Sequence, residues 1–305
     1  MNYEVKVDVS PIYELLGSLM VYTSKKWVRN LDIGPEWISE VNSKFPPEVS
    51  AALAQSSAWS LDDYDILYAW AIHRGNGDSV PCFLECLRET PAEVLLSAAA
   101  PYLPDLTIEE ASRIRDSYTP LLELWYEHYF KEVEPDIIPL LEEDAIEKKV
   151  LLTKMEPMSL VEYASGGLVI ENAPEVQTIV LFPTVHNRPI NAYCFYKKMM
   201  LIQYPVDVPE EDEDEPPTCL LRMTHALSDP KRLRLLRYVA EKPHSLREMV
   251  RDLNQSEDLL KHHLMILRVA GLLRIHLGVE EKEKYSIRSD GASELQMFLE
   301  SYMRL

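Results

Sequence analysis

The run LREMVRDLNQSEDLLKHHLMILRVAGLL, residues 246–273, decides how the chain is read. Ser245, just before it, and Glu248 have the spacing of a capping box, which opens a short helix with Leu246, Met249, Val250 and Leu253 turned inward. Asn254 and Gln255 make a tight turn, and Ser256 caps a second helix. In that helix Leu260, Leu264 and Leu267 recur on one face, with Asp258, Lys261, Met265 and Arg268 on the other. Two short amphipathic helices joined by a turn form a helix-turn-helix, whose second helix presents side chains to the major groove.

The flanks extend this pattern. Downstream, Leu272 to Leu277 and Lys284 to Ile287 are β-like runs around the polar tip Gly278-Val279-Glu280-Glu281-Lys282-Glu283, which is the pattern of a wing. Leu295, Phe298, Leu299 and Tyr302 then form a stripe on a last helix, suited to a partner helix or a second subunit. Upstream, Leu220, Met223 and Leu227 repeat at helical spacing. Ser228-Asp229-Pro230 ends that helix and starts another, with Leu233, Leu236 and Val239 as its apolar face.

On these residues the C-terminal part, about the last 88 residues, resembles the ArsR/SmtB family of bacterial winged-helix transcription regulators. The likeness rests on ALSDPKRLRLLRYV (226–239), on the helix-turn-helix run, and on the hairpin ending in KYSI (284–287). Its most specific part is His263-Leu264 followed by Leu267, Arg268, Ala270, Gly271 and Leu272. The resemblance implies dimerisation through the first and last helices of the module. The rest of the chain resembles, through VSPIYELLGSL (9–19) and the strand-rich stretch before residue 209, a helical-plus-sheet extension found fused to such winged helices in Gram-positive bacteria. Metal-sensing members carry thiolates in the helix before the recognition helix, or Asp and His on the terminal helix. Here LREMVRDL has no cysteine and GASELQMFLESYM no histidine, and Cys219 alone closes no site, so no metal and no cofactor is expected.

Charge separates the chain into modules. Over 305 residues, 31 Lys and Arg stand against 50 Asp and Glu, a net −19, which taken alone argues against nucleic acid. From Thr218 to Leu305, however, basic residues number 15 against 12 acids, leaving 16 against 38 in the first 217 residues. Between the modules, Glu210 to Glu215 are six consecutive acids flanked by Pro209, Pro216 and Pro217, a solvated linker over 209–217.

The N-terminal part reads as a mostly helical domain over 1–156, with a first strand at 3–9 and helix starts at Ser10-Pro11, Gly34-Pro35, Asp62, Thr90-Pro91 and the Thr107/Glu110 capping box. A β-rich segment over 157–208 is expected to complete it with a small sheet. Its Trp and Tyr residues fit core packing. Cys82 and Cys86 share a helix face without further ligands nearby, and His128 and His186 read as hydrogen-bonded packing residues. No phosphate loop, nucleophile elbow or zincin motif occurs, so no enzyme is expected.

The expected architecture is therefore α+β, mainly α: a helical N-terminal domain with a small sheet, an acidic linker, and a C-terminal winged helix-turn-helix at 218–305. The expected function is a homodimeric DNA-binding transcription regulator whose N-terminal region senses an effector of unknown chemistry or binds a partner. The partner of the winged helix is double-stranded DNA. With no apolar run long enough to span a bilayer and no export signal, a cytoplasmic protein without membrane contact is expected. Lys261, His262 and Arg268 are the candidates for groove and phosphate contacts, with Glu257 and Asp258 as possible base readers. Arg247, Arg251, Arg274, Lys282 and Lys284 would hold phosphates. The acids at Glu257, Asp258, Glu280, Glu281 and Glu283 support the alternative, a non-catalytic protein-interaction module with a degenerate winged helix that does not read DNA.

Overall fold

The computed structural model describes residues 3–25, 27–55, 59–75, 77–208, 214–278 and 283–304. Its first half runs β1 (Glu4–Val7), α1 (Pro11–Ser24), α2 (Glu36–Lys44), α3 (Pro47–Gln55), α4 (Asp63–Ile72), α5 (Val80–Glu89), α6 (Ala92–Ala99), α7 (Ile108–Trp125) and α8 (Lys131–Leu152). There follow α9 (Pro157–Ala164), β2 (Leu168–Asn172), β3 (Thr178–Thr184), β4 (Ala192–Tyr196) and β5 (Met199–Pro205). The last third is α10 (Thr218–Leu227), α11 (Pro230–Val239), β6 (His244–Ser245), α12 (Leu246–Leu253), α13 (Glu257–Val269), β7 (Leu273–Gly278), β8 (Lys284–Ile287) and α14 (Gly291–Met303). The fold is α+β and mainly helical. It divides into an N-terminal unit, Asn2–Thr153 with Glu175–Val206, and a winged unit, Lys154–Pro174 with Asp207–Leu305. Among the described residues no helix is long and apolar enough to cross a membrane.

In the N-terminal unit β1, β3 and β5 run parallel and β4 closes the edge antiparallel, in the order β1-β3-β5-β4. The helix α1 starts where the sequence predicts: the Ser10 hydroxyl accepts from Ile12 N at 3.2 Å, and Pro11 supplies the first turn. Every residue from Ile12 to Thr23 is buried, as expected of a helix apolar on all sides. Around it gather Trp125, Tyr118, Phe130, Leu67 and Trp70, with Val180, Phe182 and Leu201 from one face of the sheet. Each such side chain contributes about 1.5–3 kcal/mol by leaving water. The Thr107/Glu110 capping box forms at the start of α7, and a π-helical turn, Tyr126–Phe130, joins α7 to α8.

One acid lies inside this apolar packing. Glu14, fully buried in the first half of α1, accepts from the backbone N–H of Val185 (3.1 Å) and of His186 (2.8 Å), and from the Thr184 hydroxyl (2.8 Å). His186 Nδ1 lies 2.5 Å from the same carboxylate, and its Nε2 lies 2.7 Å from the Tyr129 hydroxyl, which also accepts from Trp37 Nε1 at 3.0 Å. Burial acts to raise the Glu14 carboxyl, but the hydrogen bonds and charge of His186 outweigh it and hold the group below its usual range. His186 is thus the hydrogen-bonded packing residue that the sequence predicts, within a relay that ties α1 to the end of β3.

The winged unit corrects the expected use of 157–208. Residues 157–164 form the helix α9 in place of a strand, and only 175–206 belong with the N-terminal sheet. The strand β2 pairs in parallel with β7, Leu168 opposite Ile275 and Ile170 opposite Leu277, giving the order β2-β7-β8-β6. An unpaired β7 would leave a row of open backbone groups at the wing's edge, and β2 satisfies them. The linker expected at 209–217 lies largely, at 209–213, outside the described residues. Its described end places the Asp214 carbonyl 3.1 Å from the Tyr302 hydroxyl, at the C-terminal end of α14.

Gly167 makes that strand addition possible. Its φ is +126°, and a Cβ there would lie 2.7 Å from the Leu273 carbonyl oxygen, whereas Gly166, at φ +62°, has open space beside it. Gly167→Ala is expected to destabilise the winged unit by about 2–3 kcal/mol, and Gly166→Ala by only about 1 kcal/mol. Urea melts followed by circular dichroism check the ranking, and equal effects would refute the close approach.

Candidate nucleic-acid interface

Local chemistry sets the helix-turn-helix. Glu248 accepts from both the backbone N–H and the hydroxyl of Ser245 at 2.8 Å, completing the capping box of α12. Asn254 ends α12 with φ +50°, the left-handed conformation that asparagine tolerates, and Ser256 caps α13 through Leu259 N. One turn upstream, Asp229 caps α11 by accepting from Lys231 N at 2.7 Å. The buried Arg232 donates to the Ala226 and His225 carbonyls at 2.7 Å each, tying off α10. These bonds give the run ALSDPKR its physical meaning: one helix stops and the next starts within three residues.

The α13 face divides as its spacing requires. Leu260, Leu264 and Leu267 are buried against Met249, Leu235 and Val239, while Glu257, Asp258, Lys261 and His262 are exposed and Arg268 is half-buried. His263 turns into the core at 4 % exposure, with neither ring nitrogen hydrogen-bonded, and burial pushes its imidazole below the usual range. On α12, Arg247 and Arg251 are exposed. Lys284 on β8 is half-buried. Lys282 at the wing tip lies outside the described residues.

Several candidate cations face acids. Lys261 pairs with Glu257 at 2.7 Å on its own helix, and Arg251 with Asp252 at 2.6 Å. Hydrogen bonds from Arg251 and Tyr238 hold the Asp252 carboxyl down at about 2. Arg274 on β7 meets Glu162 of α9 at 2.5 Å, and the neighbouring His276 bridges Glu171 of β2 (2.6 Å) and Ser286 of β8 (2.8 Å). Sequence reasoning missed Glu162, Glu171 and His276, because the register of β2 on β7 joins segments about a hundred residues apart and no local spacing announces it.

The apolar stripe of α14 does not all face outward. Leu295 and Phe298 pack against the core of the winged unit itself, while Leu299 is 42 % and Tyr302 37 % exposed. Met303 on α14 and Leu221 on α10 add to the exposed apolar surface, and Leu233, expected inward on α11, is also exposed. The apolar face of α11 is instead Leu235, Leu236 and Val239. Among the described residues, no three His, Cys, Asp or Glu side chains gather in a way that would hold a metal ion.

No curated protein and no solved structure matches the chain. Residues 229–274, from the cap of α11 to the first strand of the wing, match the family model described as bacterial regulatory protein, arsR family, and the C-terminal module is an ArsR-family helix-turn-helix domain.

Proposed function

We propose that the chain is a cytoplasmic, sequence-specific transcription regulator that grips duplex DNA as a homodimer, with the N-terminal unit as sensor or interaction domain and no catalytic step. The observation that carries this is α13: anchored inward by three leucines and capped by Ser256, it holds Lys261 and His262 in solvent on the face that a recognition helix turns to the groove. Glu257 and Asp258, in its first turn, complement the helix dipole and can accept from cytosine amino groups. Selecting bound fragments from genomic DNA with purified protein tests the assignment. The double variant Lys261→Ala, His262→Ala is expected to fold normally, since neither residue is in the core, and to lose sequence preference. Unchanged selected sequences would remove the assigned face.

A dimer would use the exposed part of α14 together with α10. Leu299→Asp is expected to give monomers in sedimentation, whereas Phe298→Asp would instead damage the unit's own packing. A monomeric wild type would defeat the dimer.

One observation favours the second reading, a protein-interaction module: Lys261, Arg251 and Arg274 each already face a carboxylate. No selected DNA at all would decide for it.

A further inference from the structure

The wing presents two faces. Leu273, Ile275 and Leu277 of β7 are buried, and the alternate residues Arg274 and His276 point the other way. The antiparallel β8 sets Lys284 opposite His276 and Ser286 opposite Arg274, so three basic side chains share the outer face. Such a face attracts phosphates. Here the strap formed by α9 and β2 closes it with two carboxylates. Glu162 lies 2.5 Å from Arg274, and Glu171 lies 2.6 Å from His276 Nδ1, whose Nε2 is held by the Ser286 hydroxyl at 2.8 Å. Glu171 owes its place to a break in the β2 register: Ile170 faces Leu277 and Asn172 faces Gly278, which leaves Glu171 as the extra residue of a bulge, a device that re-aims a side chain.

Neither acid is needed to hold the strap down. Backbone bonds join β2 to β7, with the Ile275 N–H donating to the Gly167 carbonyl at 2.8 Å just before the paired residues, and Leu168 and Ile170 are buried. The side chains of Glu162, Arg274 and Glu171 are 29 %, 35 % and 43 % exposed, a range in which ion pairs add little to stability. Their oxygens instead take up the donors that phosphate oxygens would use. By its contacts the strap belongs to the winged unit, yet the chain enters it from Thr153 and leaves it to Glu175, both in the N-terminal unit. A change in that unit therefore reaches the wing through a few residues of backbone, without the acidic linker. We propose that the strap is an autoinhibitory cover, in which Glu162 and Glu171 stand in for phosphates on the wing and keep it from gripping a phosphate chain until the strap draws them away. For DNA as the target this rests on the regulator reading, but the cover itself is tested with a phosphate chain that carries no bases.

The experiment titrates the full chain and its double variant Glu162→Gln, Glu171→Gln with inorganic polyphosphate and with a random-sequence DNA duplex, at about 50 mM salt, where phosphate contacts are strong. Glutamine keeps the size of each side chain and removes its charge. The double variant is expected to bind polyphosphate at least about tenfold more tightly than the wild type, with a steeper salt dependence. Adding Arg274→Ala separates the release of a cation from a mere change in net charge. It is expected to cost the double variant much more affinity than it costs the wild type, whereas an overall change in field would make the two costs equal. Equal polyphosphate affinity of the wild type and the double variant, or equal costs of Arg274→Ala in both, would overturn the cover. A gain for polyphosphate without any binding of the duplex would uphold the cover and sink the regulator reading, and duplex and polyphosphate binding indifferent to both acids would do the reverse.

Discussion

Glu14→Leu is expected to cost the N-terminal unit about 3–5 kcal/mol, the range for removing one partner of a buried charged pair. Two backbone N–H groups, the Thr184 hydroxyl and an imidazole would lose their shared acceptor in a place that water does not reach. The loss would pass down the relay, since His186 orients Tyr129, which in turn anchors Trp37. Glu14→Gln keeps the shape and one acceptor oxygen, so its cost is expected to be smaller. All five tryptophans lie in the N-terminal unit, so urea unfolding followed by their fluorescence reports on it alone. The pH dependence has a definite sign. The folded carboxyl of Glu14 titrates below the 4.5 of an ordinary glutamate, so its stabilisation is complete above that pH and is lost as pH falls through the folded value. The wild type is therefore expected to weaken in acid below about pH 4.5, and Glu14→Gln to lack that share of the weakening. A urea midpoint unmoved by Glu14→Leu would mean the relay bears no load.

What the chain betrayed in its letters was whatever is settled within one helical turn. Ser10-Pro11, Thr107 with Glu110, Asp229-Pro230, Ser245 with Glu248, and Ser256 all sit where caps are expected, because a cap is a bond between residues two or three apart. The opposite holds where partners are distant. The stretch LVIEN reads as a strand, but nothing in it says whether it joins its neighbours in sequence or the wing about a hundred residues later; an open edge on β7 settles that. Leu295 and Phe298 share a stripe with Leu299 and Tyr302, and only the packed core shows that the first pair turns inward. The polar interior of the N-terminal unit did leave traces: Glu14 and Gly17 interrupt the apolar run IYELLGSLMVY, and Gln203 interrupts MMLIQYP. A carboxylate near a helix start has an ordinary explanation in the dipole, which is why its burial was not foreseen.

On the regulator reading, the affinity for duplex DNA is expected to fall about a thousandfold between 50 and 200 mM salt, the consequence of a dimer neutralising about six phosphates at a log-log slope near −5. The cations are not equivalent in this respect. Arg247 is exposed, and Lys261 and Arg251 are held by acids only in exposed pairs, which are worth at most about 1 kcal/mol and yield readily to a phosphate. Arg274 is different: half-buried, 2.5 Å from Glu162, and fixed there by the β2–β7 pairing, it is committed within the wing. Arg247→Ala in both subunits is therefore expected to flatten the slope by about 2, one unit per lost phosphate contact, and Arg274→Ala to leave it unchanged. Glu162→Gln is expected to release Arg274 and steepen the slope. Salt titrations of binding to a selected fragment separate these variants. A slope near zero would remove the electrostatic basis of the interface, and a slope flattened equally by Arg247→Ala and Arg274→Ala would show that the wing surrenders Glu162 when DNA binds.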